Sequence, residues 1–309
     1  MTWLLWRQHR LQAAIAAAAY AAFLVAVLLT GWHMADIYHS ALVTCRANGT
    51  CDELNLFQGY GAIVDVVNLT AAVPLLIGLF WGVTSVGREM DTGTHVLAWT
   101  QSVTRRRWLA GKIGLLMAAA AVWGAAVTVA VTWWSKTPNS YYADRFDPGK
   151  FMIQGIVPVG YALFAAALGL AAGAVIRRTL PALAVTVVGY VAAQVTVSNW
   201  IRPHLAAPLV SDVPFDQQNA VPSGSWLLRQ DIVLHGKAIT SALSLPAQCA
   251  PDRGGNVRQC LADLGYRYVV HYQPASRYWP FQWVEFTGFV ALAAVLVTVA
   301  WFSVLRRDA

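Results

Sequence analysis

The amino-acid sequence predicts an all-α membrane protein: six transmembrane helices, an amphipathic N-terminal interfacial helix, and a disulfide-stapled outer segment before the last helix. Three observations carry that expectation. Of 309 residues, 57% are hydrophobic and only 12% are charged, where an ordinary soluble domain has about 25% charged. A soluble domain this apolar would be unable to cover its own surface. The apolar residues fall into blocks of roughly 20, the length that crosses about 30 Å of hydrocarbon at about 1.5 Å per residue. The charges sit on the flanks of those blocks, and the basic ones favour one side.

The blocks run at about 11–31, 64–86, 109–134, 152–176, 180–200 and 281–305. Residues 1–10 read Met-Thr-Trp-Leu-Leu-Trp-Arg-Gln-His-Arg. Trp3 and Trp6 suit the headgroup level, and Arg7 and Arg10 suit lipid phosphates, so a short interfacial helix is expected to lead into the first span. A cleaved signal peptide is the rival reading of this start. The apolar run exceeds a signal core, and no cleavage turn precedes Trp32, so the span is expected to stay. The whole chain, 1–309, then reads as one transmembrane domain with an inner loop at 87–108 and an outer segment at 201–280.

Orientation follows from charge. With the N-terminus inside and six spans alternating, the inner segments hold Arg7, Arg10, Arg88, Arg105, Arg106, Arg107, Lys112, Arg177, Arg178, Arg306 and Arg307. They hold only three acids, Glu89, Asp91 and Asp308. Short inner segments rich in Lys and Arg obey the positive-inside rule, so both termini are expected in the cytoplasm of a multi-pass plasma-membrane protein. The net charge of +7 does not imply nucleic acid as a partner, because the bases flank spans instead of forming a stripe. Membrane lipid is the partner they fit.

Between the first two spans, 32–63 reads as a short outer loop, and 135–151, with its prolines, glycine and Asp147, reads as turn. Arg177-Arg178-Thr179 is a minimal inner turn. It makes the fourth and fifth spans antiparallel neighbours, with Thr179 and Pro181 suited to open the fifth helix. The 201–280 segment holds many prolines, two apolar stretches (226–234 and 238–245) and a loosely alternating run at 266–272 that could be a strand. It reads as a small outer subdomain or as re-entrant helices over the outer mouth.

All four cysteines, Cys45, Cys51, Cys249 and Cys260, fall on the outer side, the oxidising one. The local pairs Cys45–Cys51 and Cys249–Cys260 are the natural choice, although four cysteines allow three connectivities. Zinc is the alternative, without CxxC spacing or a histidine at ligand spacing to support it. Gly169 and Gly173 form a G-x-x-x-G pair, a packing signal in lipid. Pro74 and Pro158 are expected to kink their spans. Asp65 and Glu285 are the acids inside the span limits, each near an outer end. They anchor helix ends or line a translocation path. Gln154 and Gln194 are expected to hydrogen-bond between helices.

The most informative segment is the inner loop at 87–108. A turn of a few residues would have joined its spans, yet the loop has over twenty residues and mixes polar with apolar positions. Asp91 or Thr92 can cap a short helix whose apolar side is Val96, Leu97, Trp99 and Val103. Thr104 can cap the helix that follows. Such a helix lies against the inner face either as a docking surface or as a plain stabiliser of two spans.

The stretch Arg88-Glu89, then Gly93-Thr94, Leu97-Ala98-Trp99-Thr100-Gln101-Ser102-Val103-Thr104-Arg105, Trp108 and Lys112 resembles the inner loop of actinobacterial ATP-binding cassette permeases of the type-2 exporter family. Residues 272–285, Tyr-Gln-Pro-Ala-Ser-Arg-Tyr-Trp-Pro-Phe-Gln-Trp-Val-Glu, resemble the lead into the last span of such permeases. The resemblance implies that Glu89, Gly93, Thr94, Leu97, Arg105 and Lys112 belong to a coupling element that docks on an ATP-binding cassette ATPase subunit. It also implies a second permease copy or homologue, and an amphiphilic substrate exported by alternating access. No G-x-x-x-x-G-K-[ST] phosphate loop occurs, so ATP and Mg are expected in the partner, with no cofactor, metal or catalytic residue in this chain. A membrane sensor or scaffold with an outer ligand-binding subdomain is the alternative function.

Overall fold

The computed structural model describes residues 2–48, 58–91, 104–142, 145–217, 221–239, 246–249 and 256–307. Among them, six helical stretches are long and apolar enough to cross a membrane: Ala17–Thr44, Gly61–Gly87, Arg105–Trp134, Val157–Ile176, Thr179–His204 and Ala275–Arg306. The chain divides into two compact units. One comprises Met1–Tyr142, Met152–Ala192 and Trp283–Ala309, the other Ala143–Phe151 and Ala193–Gln282.

In the first unit, helix α1 runs unbroken over Thr2–Asn48. This corrects two expectations. A separate interfacial helix at residues 1–10 is not supported, because no glycine or proline interrupts residues 2–30 and the alanine-rich run favours propagation. The loop expected from Trp32 onward is helical to Asn48. Its buried Met34 belongs to a cluster with Val27, Val131 and Trp134, against which Tyr38 packs. That burial keeps the helix going past the membrane-length block.

The second span is a relay of short pieces: α2 (Gly61–Leu69), a 3-10 turn at Thr70–Ala72, α3 (Val73–Ile77), a π segment at Gly78–Val83, and α4 (Thr84–Asp91). Pro74 sits at the start of α3, where its missing N–H removes no helical bond. The third span is α5 (Arg105–Trp134), followed by the short α6 (Lys136–Tyr142). Thr104 caps α5 with its side chain, accepting from the Arg107 N–H at 3.4 Å. Helix α8 (Val157–Ile176) is the fourth span. Pro158 opens this helix and does not kink it, so the span begins several residues later than the apolar block.

Fifteen residues of α8 are buried in a 20-residue helix, which makes it the centre of this unit. It ends at Arg177, whose left-handed backbone (φ 58°) donates to the Gly173 carbonyl at 3.0 Å. Helix α9 (Thr179–Thr196) then runs back along it, with the Phe164 and Tyr190 rings stacked at 6.4 Å. The last span is α11 (Tyr278–Arg307), meeting α8 through Tyr161, Phe164 and Phe289.

The second unit overturns the all-α expectation. Four antiparallel strands, β1 (Leu209–Pro214), β2 (Trp226–Leu234), β3 (Lys237–Ala238) and β4 (Tyr266–Gln273), form a sheet in the order β1-β4-β2-β3. The reason is local: these runs are rich in Val, Ile, Tyr and Trp and lack a helical repeat. Positive φ at His235 and Gly236 closes the β2–β3 hairpin. Short helices α7 (Pro148–Phe151) and α10 (Val257–Asp263) complete the unit. Cys249 and Cys260 form a disulfide that ties α10 to the turn before it. Phe215, Leu261 and Tyr266 pack around Cys249. Partial burial raises the Tyr268 phenol above its ordinary pKa of 10.0, while Arg258 pulls it down.

Candidate functional site

Helix α8 is gripped by the second span along a seam of small residues. Gly78 faces Ala165, Gly82 faces Ala166 and Gly169, and Gly87 faces Gly173. A Cβ on Gly78 would lie 2.6 Å from the Ala165 carbonyl oxygen, and one on Gly82 would lie 2.8 Å from that of Ala166. No side chain fits there, so backbone packs on backbone, as lipid-embedded helices require for tight association. The π segment Gly78–Val83 lies on this seam. A π turn widens the helix by one residue, a device common at working sites in helices.

At the end of the second span where the 87–108 segment begins, three bonds tie three helices, α4, α5 and α9. The Asp91 carboxylate accepts from the Thr179 N–H at 3.2 Å and from the Thr179 hydroxyl at 2.9 Å, so a residue of α4 caps α9. The buried Lys112 reaches from α5 and donates to the Ser85 carbonyl at 2.8 Å, its ammonium 4.6 Å from the centre of the Trp108 ring. Both ends of the segment are thereby fixed to the helix bundle, Asp91 at one and Thr104 with Lys112 at the other.

The expected docking residues divide accordingly. Glu89 lies in α4, and only its backbone is described. Gly93, Thr94 and Leu97 lie outside the described residues, as does the helix expected around them. Arg105 opens α5, partly exposed beside the Thr104 cap. Lys112 points into the bundle. Asp91 and Thr179 were each read from the sequence as helix caps. Their pairing has no sequence signal, since 88 positions separate them.

Higher in the same unit, Glu285 is buried and accepts a hydrogen bond from the Tyr161 hydroxyl of α8. Asp65 is exposed on α2. No contact among the described residues joins these two acids. Gln154 is buried and accepts from the Asn139 amide at 2.8 Å, but it lies in the bend before α8, so this bond joins a turn to α6 and is not the link between two spans that was expected. Gln194 is buried near the end of α9. A small cavity lined by Thr70, Pro74, Gly124, Thr128, Ile153 and Pro158 has room for about one water. The buried Thr128 hydroxyl has no hydrogen-bond partner among the described residues.

In the second unit, the segment leading into the last span acts as a brace. Arg277 donates to the Gln273 side chain and to the Ala207 carbonyl, each at 2.6 Å. Gln273 donates to the Ala206 carbonyl at 2.7 Å. Gln282, fully buried, donates to the Phe151 carbonyl at 3.1 Å. Of the expected disulfides, Cys249–Cys260 is formed. Cys51 lies outside the described residues, and with it the Cys45–Cys51 pair. Among the described residues, no cluster of His, Cys, Asp or Glu could hold a metal ion.

Residues 17–202, more than half of the chain, match the family described as ABC-2 membrane transporter related. No curated protein and no solved structure matches the chain.

Proposed function

The chain belongs to the ABC-2 membrane transporter related family, and on that footing we propose that it is the membrane-spanning permease subunit of an ATP-driven exporter. It is a multi-pass membrane protein of a transporter family. The finer reading is that an ATP-binding cassette ATPase binds ATP and Mg in a separate chain and grips the 87–108 segment on the cytoplasmic face. A second permease copy or homologue completes the assembly. Both termini lie in the cytoplasm of the plasma membrane, and 201–280 lies outside, where its disulfide is stable. The cargo is amphiphilic, and Asp65 and Glu285 belong to its path.

One observation carries this reading: both ends of the 87–108 segment are bonded into the span bundle. Through Asp91, force applied to that segment reaches α9 at Thr179. Through Lys112 it is shared between α4 and α5 at Ser85. The glycine seam then passes movement of the second span to the central helix, because backbones in contact shift together. Within this scheme Glu89, Gly93, Thr94, Leu97 and Arg105 meet the ATPase. Lys112 supports them from inside the bundle.

The test is copurification in detergent with an ATP-binding cassette ATPase, followed by ATPase assays of Glu89→Ala and Arg105→Ala. The expected result is a folded permease with weakened coupling in both variants. Unchanged coupling in both removes the docking role from this segment. A chain that binds a ligand through 201–280 and recruits no ATPase is instead a sensor.

A further inference from the structure

We propose that Arg145, Tyr278 and Trp279 form a seat for the phosphate of an anionic phospholipid, at the end of the last span that joins the sheet unit. The Arg145 guanidinium lies 4.0 Å from the centre of the Tyr278 ring and 5.2 Å from that of Trp279. The two rings meet edge to face at 5.5 Å, so they form a corner around the cation. Cation–π contact holds a guanidinium in place without neutralising its charge.

The counter-ion is missing from the described protein. Among the described residues, no carboxylate lies within ion-pair distance of Arg145. The nearest described acid along the chain, Asp147, accepts from the Gly149 N–H at 3.0 Å and caps its own turn. Arg145 is nevertheless partly buried. Arg145 also hydrogen-bonds the Tyr278 hydroxyl, which uses one of its five N–H groups; a partly desolvated guanidinium held in this way still offers a phosphate two of the others side by side.

The position selects a lipid over a soluble phosphate. Tyr278 and Trp279 begin α11, the helix that goes on to cross the membrane. Aromatic rings of this kind mark the headgroup level. Trp279 is 48% exposed and Trp283, one turn on along the same face, is 52% exposed. An acyl chain therefore has an exposed aromatic surface to follow along α11. A headgroup of net negative charge is favoured, because the attached choline of a zwitterionic lipid brings its own cation.

The experiment is native mass spectrometry of the full chain in detergent, titrated with dioleoylphosphatidylglycerol, with dioleoylphosphatidylcholine, and with glycerol 3-phosphate as the soluble phosphate. The wild type is expected to retain phosphatidylglycerol in preference to phosphatidylcholine. Arg145→Gln is expected to reduce phosphatidylglycerol retention about fivefold, the share of one basic residue at a membrane surface, and to leave phosphatidylcholine unchanged. Trp279→Ser alters an exposed side chain and reduces the same preference. It decides the question if Arg145→Gln does not fold. No preference in the wild type, equal loss of both lipids in the variants, or displacement of phosphatidylglycerol by an equal concentration of glycerol 3-phosphate overturns the proposal.

Discussion

Replacing Gly169 by alanine is the sharpest test of the packing that organises the bundle. A Cβ at this position would collide with the Gly78 carbonyl and lie 2.8 Å from the Val83 nitrogen. Ordinary contact begins at 3.4 Å, so the two helices must part by more than half an ångström. The obstructing atoms are backbone, and no side chain can rotate away to relieve them. Overpacking of this kind costs about 1–3 kcal/mol, against at most about 1 kcal/mol gained from the better helix propensity of alanine. Gly114 in α5 supplies the internal control, since nothing lies within 4 Å of its built Cβ. Gly114→Ala should be neutral or stabilising by up to about 1 kcal/mol. The assay is reversible unfolding of the detergent-solubilised protein, both variants measured against wild type. Backbone contact at Gly169 and open space at Gly114 give the two substitutions opposite signs. Equal stability of Gly169→Ala and Gly114→Ala would refute tight backbone packing at Gly169.

Three further outcomes are expected. Asp91→Ala removes the cap on α9 and should cost about 1 kcal/mol, seen as faster hydrogen exchange in the first turn of α9; Asp91→Asn should keep part of the protection. Glu285→Gln preserves an acceptor for the Tyr161 hydroxyl and should stay near wild-type stability. Glu285→Ala should lose about 1–3 kcal/mol in the same unfolding assay, and equal behaviour of the two would show that the bond is idle. Cys249→Ser with Cys260→Ser opens an 11-residue separation and should lower the stability of the sheet unit by about 2–4 kcal/mol, read as exchange in β4 and α10.

Much of the membrane architecture was legible because lipid imposes a length and a composition that few other environments demand. Each apolar block corresponds to a helix of crossing length. The Thr104 cap and the tight turn at Arg177-Arg178-Thr179 were legible from local chemistry. The alternating run at 266–272 did prove to be a strand, β4. The extension of α1 to Asn48 was hidden because His33, Asp36 and His39 make the stretch look like loop. Its apolar positions do not advertise which helix they pack on. The 226–234 run was visible as apolar, yet its pairing with β4 depends on residues some forty positions away. The partners of Asp91, Lys112 and Glu285 are set by tertiary contact alone. Single residues of ordinary type carry no mark of the distant group they meet.

The proposed function requires the 87–108 segment to meet a separate nucleotide-driven ATPase inside the cell. The most direct measurement places a photoreactive side chain at Leu97 and irradiates intact cells. A crosslink to an ATP-binding cassette ATPase is expected, its yield changing when ATP is depleted. No crosslink to such an ATPase, with the Leu97 position instead reached by a membrane-impermeant reagent from outside, would contradict it.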